Sequence, residues 1–164
     1  MGDPTELTLA AAAAAVAAKE VSPVELTTAY LERIDRLNPT LTAYVEVTAD
    51  RALADAATLA DEVIAGKLRG PLHGVPIALK DLVDTAGIPT RAGTLGYQDR
   101  VPDTDAAIAR RLREAGTVLL GKTATHELAY GVTTSNPKAF GTTRNPRDVQ
   151  RIPGGSSGGS AAAV

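Results

Sequence analysis

A chain of 164 residues is long enough for one domain with a sizeable core. With 44% apolar and 22% charged residues it is not an intrinsically disordered chain, and a net charge of −2 carries no electrostatic footprint for nucleic acid. It has no cysteine, which excludes disulfides, thiol nucleophiles and Cys-based metal sites and suits a reducing, cytoplasmic setting.

Residues 9–18 are nearly all alanine, the best helix former, and predict a helix. The flank holds Asp3 and Glu6 with no lysine or arginine, so the stretch is not a secretion signal. It is also too short and too weakly apolar to span a bilayer. Ser22-Pro23-Val24-Glu25 reads as a capped helix start. Leu26, Tyr30, Ile34 and Leu37 follow on one face, and Asn38-Pro39 is expected to end the helix. Thr42 to Thr48 alternates and predicts a strand. Asp50 opens a second helix with Leu53, Ala56, Ala60 and Val63 inward and Gly66 just past its end.

After a turn at Gly70–Gly74, Val75-Pro76-Ile77-Ala78-Leu79-Lys80 is a buried strand. Residues 81–103 are loop-rich. A helix from about Asp105 to Ala115, with Ile108, Leu112 and Ala115 inward, ends at Gly116, and Thr117–Leu120 is a short strand. Arg110, Arg111 and Arg113 lie beside Glu114 on that helix and read as a solvated face. Residues 131–155 predict mostly loop. Helix, glycine, apolar strand is the grammar of an α/β sheet with helices on its faces.

Two motifs mislead. Gly116 to Thr123 matches G-x-x-x-x-G-K-T letter for letter. A phosphate loop needs a strand before the first glycine and a polar loop between, whereas here a helix precedes and Val118-Leu119-Leu120 is strand-like. His126-Glu127 suggests the zinc motif H-E-x-x-H, but Tyr130 stands where the second histidine belongs and the only other histidine is His73. The better reading of His126 is a hydrogen-bonded loop histidine.

Gly154-Gly155-Ser156-Ser157-Gly158-Gly159-Ser160 runs into Ala161-Ala162-Ala163, a helix start. By pattern alone it reads equally as a flexible linker or as a glycine loop presenting hydroxyls and N–H groups at a helix N-terminus. With Lys80 it would supply the parts of a Ser/Lys acyl-transfer site.

Together, Gly70 to Asp81, Ala115 to Thr123, Asn145-Pro146 and Pro153 to Val164 resemble the amidase signature family in residues, order and spacing. The resemblance covers the chain from the Ser-Pro-Val-Glu-Leu helix onward. It implies an α/β amidase-signature fold, a mixed sheet covered by helices, with residues 1–164 as the N-terminal part of a single domain. It implies a Ser–cisSer–Lys triad in which Lys80 is the base and Ser156, behind a cis peptide, relays the proton. Ser157 would support the loop, and Ala129 and Tyr130 align with the substrate-side wall.

The family's nucleophile lies about two dozen residues beyond the bridging serine, in a turn that also forms the oxyanion hole. That position falls past Val164, and Ser160 is too close to Ser156 to replace it. The expectation is therefore a truncated fragment, inactive alone, of an enzyme that hydrolyses a small carboxylic amide through an acyl-enzyme. No cofactor, no metal, no membrane and no direct nucleic-acid contact are expected, and a homodimer would belong to the full-length protein. The alternatives are the glutaminase A subunit of a tRNA-dependent amidotransferase and a non-catalytic fragment. Thr125 to Gly131 looks more like the stand-alone amidases. Arg147 stands where the family commonly has tryptophan.

Overall fold

The computed structural model describes residues 2–164. Helix α1 (Leu9–Ala17) begins where Thr8 Oγ1 accepts the Ala11 N–H at 3.2 Å. Helix α2 (Pro23–Leu41) begins in a reciprocal box. Glu25 N–H donates to Ser22 Oγ at 3.0 Å, and Ser22 N–H donates to Glu25 Oε2 at 2.8 Å. Against expectation, α2 does not stop at Asn38-Pro39 but carries Pro39 inside its last turn. The Asn38 carbonyl still accepts the Thr42 N–H. The Asn38 side chain accepts the Tyr44 N–H and donates to the Tyr44 carbonyl, so it binds the following strand instead of breaking the helix.

Strand β1 is Tyr44–Val47, shorter than the predicted stretch, and α3 is Ala49–Ile64. The buried face of α3 is Ala52, Ala56, Leu59 and Val63. Leu53, predicted inward, is exposed, because small alanines rather than the large side chain make the close approach. Strand β2 is Pro76–Lys80, α4 is Ala107–Glu114 and β3 is Val118–Thr123. In α4 the buried residue is Ala109, while the predicted Ile108 is exposed. The region predicted as loop holds a two-residue ladder, β4 (Ser135–Asn136) with β5 (Gly141–Thr142), and α5 is Gly158–Ala163.

The chain forms two compact units. The first takes in residues up to Asp35, then Thr48–Ile77 and Arg110–Leu120. Its apolar cluster is Ala12, Val16, Val21, Leu26 and Val63. Buried His73 accepts the Arg69 N–H at Nδ1, so its Nε2–H donates to the Leu59 carbonyl at 3.0 Å. Gly116, at φ +82, lies against that ring, where a Cβ would meet His73 Nδ1 at 2.8 Å.

The second unit takes in Arg36–Val47, Ala78–Ala109 and Gly121–Val164, with Leu41, Ala43 and Ala162 packed together. The three-stranded sheet has the order β1-β3-β2. β1 pairs antiparallel with β3, setting Tyr44 opposite Thr123 and Glu46 opposite Lys122. Within the first unit Val118 N–H bonds the Val75 carbonyl, and within the second Asp81 N–H bonds the Thr123 carbonyl, an ascending order that makes β2 parallel to β3. The fold is a mixed α/β one. Gly121-Lys122-Thr123 lies within β3, so the phosphate-loop match is a strand end. Among the described residues no helix is long and apolar enough to cross a membrane.

Candidate active site

Lys80 is the last residue of β2, and its side chain reaches the glycine loop: Nζ donates to Ser156 Oγ at 2.7 Å. Both side chains are half-buried. Burial holds the Lys80 amine below the ordinary lysine pKa. A neutral amine at this distance can equally accept the serine proton.

The loop is held by its backbone. Ser156 C=O accepts the His126 N–H at 2.9 Å and the Thr125 hydroxyl at 3.0 Å. Buried Thr134 donates its hydroxyl to the Gly154 carbonyl at 2.9 Å and accepts the Gly158 N–H at 3.0 Å. Gly159 N–H donates to the Ala124 carbonyl at 3.0 Å. A linker would have no such partners, so these residues form an ordered loop. The Gly155–Ser156 peptide is cis. Gly159 sits so close to the backbone of Ala124 and Ala43 that a Cβ would overlap both.

The other expected residues fall as follows. Ser157 stands before α5 without a side-chain cap bond, and its carbonyl accepts the Ala161 N–H. Ala129 ends a short 3-10 turn with φ +58, and Tyr130 after it is 92% exposed. Ser160 Oγ lies 2.8 Å from Thr123 Oγ1. His126 Nδ1 lies 3.1 Å from Thr133 Oγ1 and accepts the Thr133 N–H, a tie within the loop. Arg147 N–H donates to Asn145 Oδ1.

A second polar group centres on a residue that the motifs did not single out. Lys122 is fully buried and donates from Nζ to Thr90 Oγ1 at 2.6 Å and to the Val83 carbonyl at 2.7 Å. It lies 3.9 Å from Asp81 Oδ1. Asp81 is 1% exposed and both its carboxylate oxygens accept the Arg91 N–H at 3.2 Å. Burial lowers the Lys122 amine to about 8, opposed by Asp81, and pushes the Asp81 carboxyl up. The one signal for it in the sequence is a lysine closing an apolar strand, and the phosphate-loop pattern masks that signal. Asp81 and Arg91 also line a cavity of about 300 Å³ with Thr94, Gln98, Lys138 and Phe140, and neither Lys80 nor Ser156 lines it.

A family model described as Amidase matches residues 25–164. The A subunit of the glutamyl-tRNA(Gln) amidotransferase of Acidothermus cellulolyticus is 48% identical over all of this chain, which covers 32% of that protein. The same-named protein of Prochlorococcus marinus is 49% identical over 88% of this chain and 30% of its own length. The native peptide amidase of Stenotrophomonas maltophilia superposes with a TM-score of 0.88 at 44% identity, over 97% of this chain and 34% of that one. A fatty acid amide hydrolase structure gives 0.93 at 27% identity, over 100% of this chain and 29% of that one. The chain thus spans about a third of the length of the curated relatives it matches. With the lysine strand, the serine loop, the fold and these matches in agreement, the chain belongs to the amidase family.

Proposed function

We propose that this chain supplies the base and the proton relay of an enzyme that hydrolyses carboxylic amide C–N bonds. The observation that carries this reading is the 2.7 Å contact between Lys80 Nζ and Ser156 Oγ. A lysine protonated in water cannot act as a base, and the burial that lowers its pKa makes the neutral amine accessible. Ser156 passes its hydroxyl proton to Lys80 while taking one from the attacking serine. That serine adds to the amide carbon and an oxyanion forms. The C–N bond breaks with the proton returned to the leaving nitrogen, and water then hydrolyses the acyl-enzyme.

By the family resemblance the attacking serine lies beyond position 164, in the same amidase domain, so residues 1–164 alone are expected to be inactive. Ser157 supports the loop in this reading, and Ala129 and Tyr130 face the substrate. The lack of cysteine favours the cytoplasm. The test uses the full native chain and a panel of small amides. Lys80→Met and Ser156→Ala should each reduce kcat/KM by roughly 10²–10⁴-fold, the range for a lost acid–base group. Full activity in either variant would overturn the assignment.

A second reading is the glutaminase component of a tRNA-dependent amidotransferase. It is favoured by the curated relatives of that name, 44–49% identical over nearly the whole chain. Ammonia release from glutamine that requires partner proteins selects this reading. Hydrolysis of simple amides by the isolated native chain selects the stand-alone amidase.

A further inference from the structure

We propose that Lys122 is a positioning residue for Lys80, acting from the opposite face of the sheet through the turn that ends β2; this rests on the reading of Lys80 as the base. Successive residues of a strand point to opposite faces. On one face, Lys80 meets Ser156 and Thr123 meets Ser160. On the other, Asp81 and Lys122 approach each other, and Glu46, opposite Lys122 in register, pairs with Arg91 at 3.0 Å.

The turn 80–83 joins the two faces. The Lys80 carbonyl accepts the N–H groups of Leu82 at 2.7 Å and Val83 at 2.9 Å. The Val83 carbonyl accepts Lys122 Nζ at 2.7 Å and the Thr85 hydroxyl at 3.2 Å. Asp81 is bound by its N–H to the Thr123 carbonyl, by its C=O to the Ala92 N–H, and by its carboxylate to the Arg91 N–H. Lys122 therefore ties the backbone just after Lys80 to Thr90 and to β3 through one buried cation. Asp81, Asp84, Arg91 and Arg100 are the charged groups acting on it.

An apolar side chain of this length would fill the same space in a strand with buried neighbours. Only a donor on a long stem reaches both the Val83 carbonyl and the Thr90 hydroxyl, and Lys122 spends its reach on those two acceptors. The Lys80 side chain hydrogen-bonds to Ser156 while its own carbonyl is bound within the turn, so the turn that Lys122 holds sets the backbone from which the Lys80 side chain leaves.

The experiment measures the pH midpoint of acetylation of each lysine by mass spectrometry in the full native chain. The variants are Thr90→Val, Thr90→Ser and Lys122→Met. The midpoint reports the pKa of the amine, whereas the plateau rate reports access of the reagent. When the clamp is released, Lys80 becomes better solvated. Its midpoint should move up toward that of an ordinary lysine in Thr90→Val and Lys122→Met. Thr90→Ser keeps the hydroxyl and should restore the native midpoint.

An unmoved Lys80 midpoint in a folded Thr90→Val or Lys122→Met protein would overturn the proposal and leave the cluster a purely structural one. If Lys122→Met does not fold, Thr90→Val decides. Failure of the catalytic reading appears separately, as amide hydrolysis retained by Lys80→Met.

Discussion

At the scale of single residues, two lysines are pushed toward neutrality in different settings. Lys80 is half-buried and meets a hydroxyl, whereas Lys122 is fully buried and meets a carbonyl, a hydroxyl and a carboxylate. For Lys80 the consequence is kinetic. Because burial lowers its pKa, the rate of amide hydrolysis by the full native chain should rise with pH through a midpoint below the ordinary lysine value of 10.5. A pH–kcat/KM profile checks this, and a midpoint at 10.5 or above would count against a buried base.

For Lys122 the consequence is thermodynamic. The unfolded chain holds its proton up to 10.5 and the folded chain only up to about 8, so between these values the unfolded state binds more protons. The contribution is fully present above about 10.5 and lost as pH falls through about 8. Urea unfolding at stepped pH should show stability rising across that window, and Lys122→Met should reduce the slope, leaving the part due to Lys80. Lys80 and Ser156 were legible because their motifs carry them. Lys122 was not, because Val83, Thr90 and Asp81 are brought to it only by the parallel pairing of β2 and β3.

At the scale of elements, caps and close approaches decide what forms. The box at Ser22 and Glu25 was readable from residue types three apart. Ser22→Ala should cost about 1 kcal/mol by loss of the cap acceptor, measured as a shift of the denaturation midpoint. The start of α5 is set by packing. Gly159 has helical backbone, yet a Cβ there would overlap the peptide atoms of Ala124 and Ala43, which cannot swing aside as a flexible side chain can.

Gly159→Ala should therefore destabilise by about 1–3 kcal/mol, the cost of forcing extra atoms into a packed site. It should also disturb the Ser156 loop, seen as a change in the Lys80 acetylation midpoint. Neutral stability in Gly159→Ala would show that the loop relaxes freely. Element types were mostly legible from periodicity and punctuation. The inward faces of α3 and α4 were not, because alanine on a helix can be the point of closest contact and leave its larger neighbours exposed, as at Ala52 beside Leu53 and Ala109 beside Ile108.

At the scale of the whole molecule, β1 and β2 are the two edges of the three-stranded sheet, and Leu128, Tyr130 and Val132 are exposed. Unpaired edges and exposed apolar side chains favour association. Residues 1–164 expressed by themselves should self-associate in concentration-dependent light scattering and should not hydrolyse amides. A monodisperse, active preparation would overturn both expectations. The sequence by itself determined the chemistry on offer and the α/β class. A lysine ending an apolar strand, a glycine–serine loop entering a helix and apolar periodicity are local patterns, read within a few residues. Only the tertiary structure decided that Thr125, His126 and Thr134 hold the loop, and that Lys122 meets Val83, Thr90 and Asp81. Those contacts join residues far apart in the chain, and they form because buried carbonyls, N–H groups and amines must find partners wherever the strands bring them together.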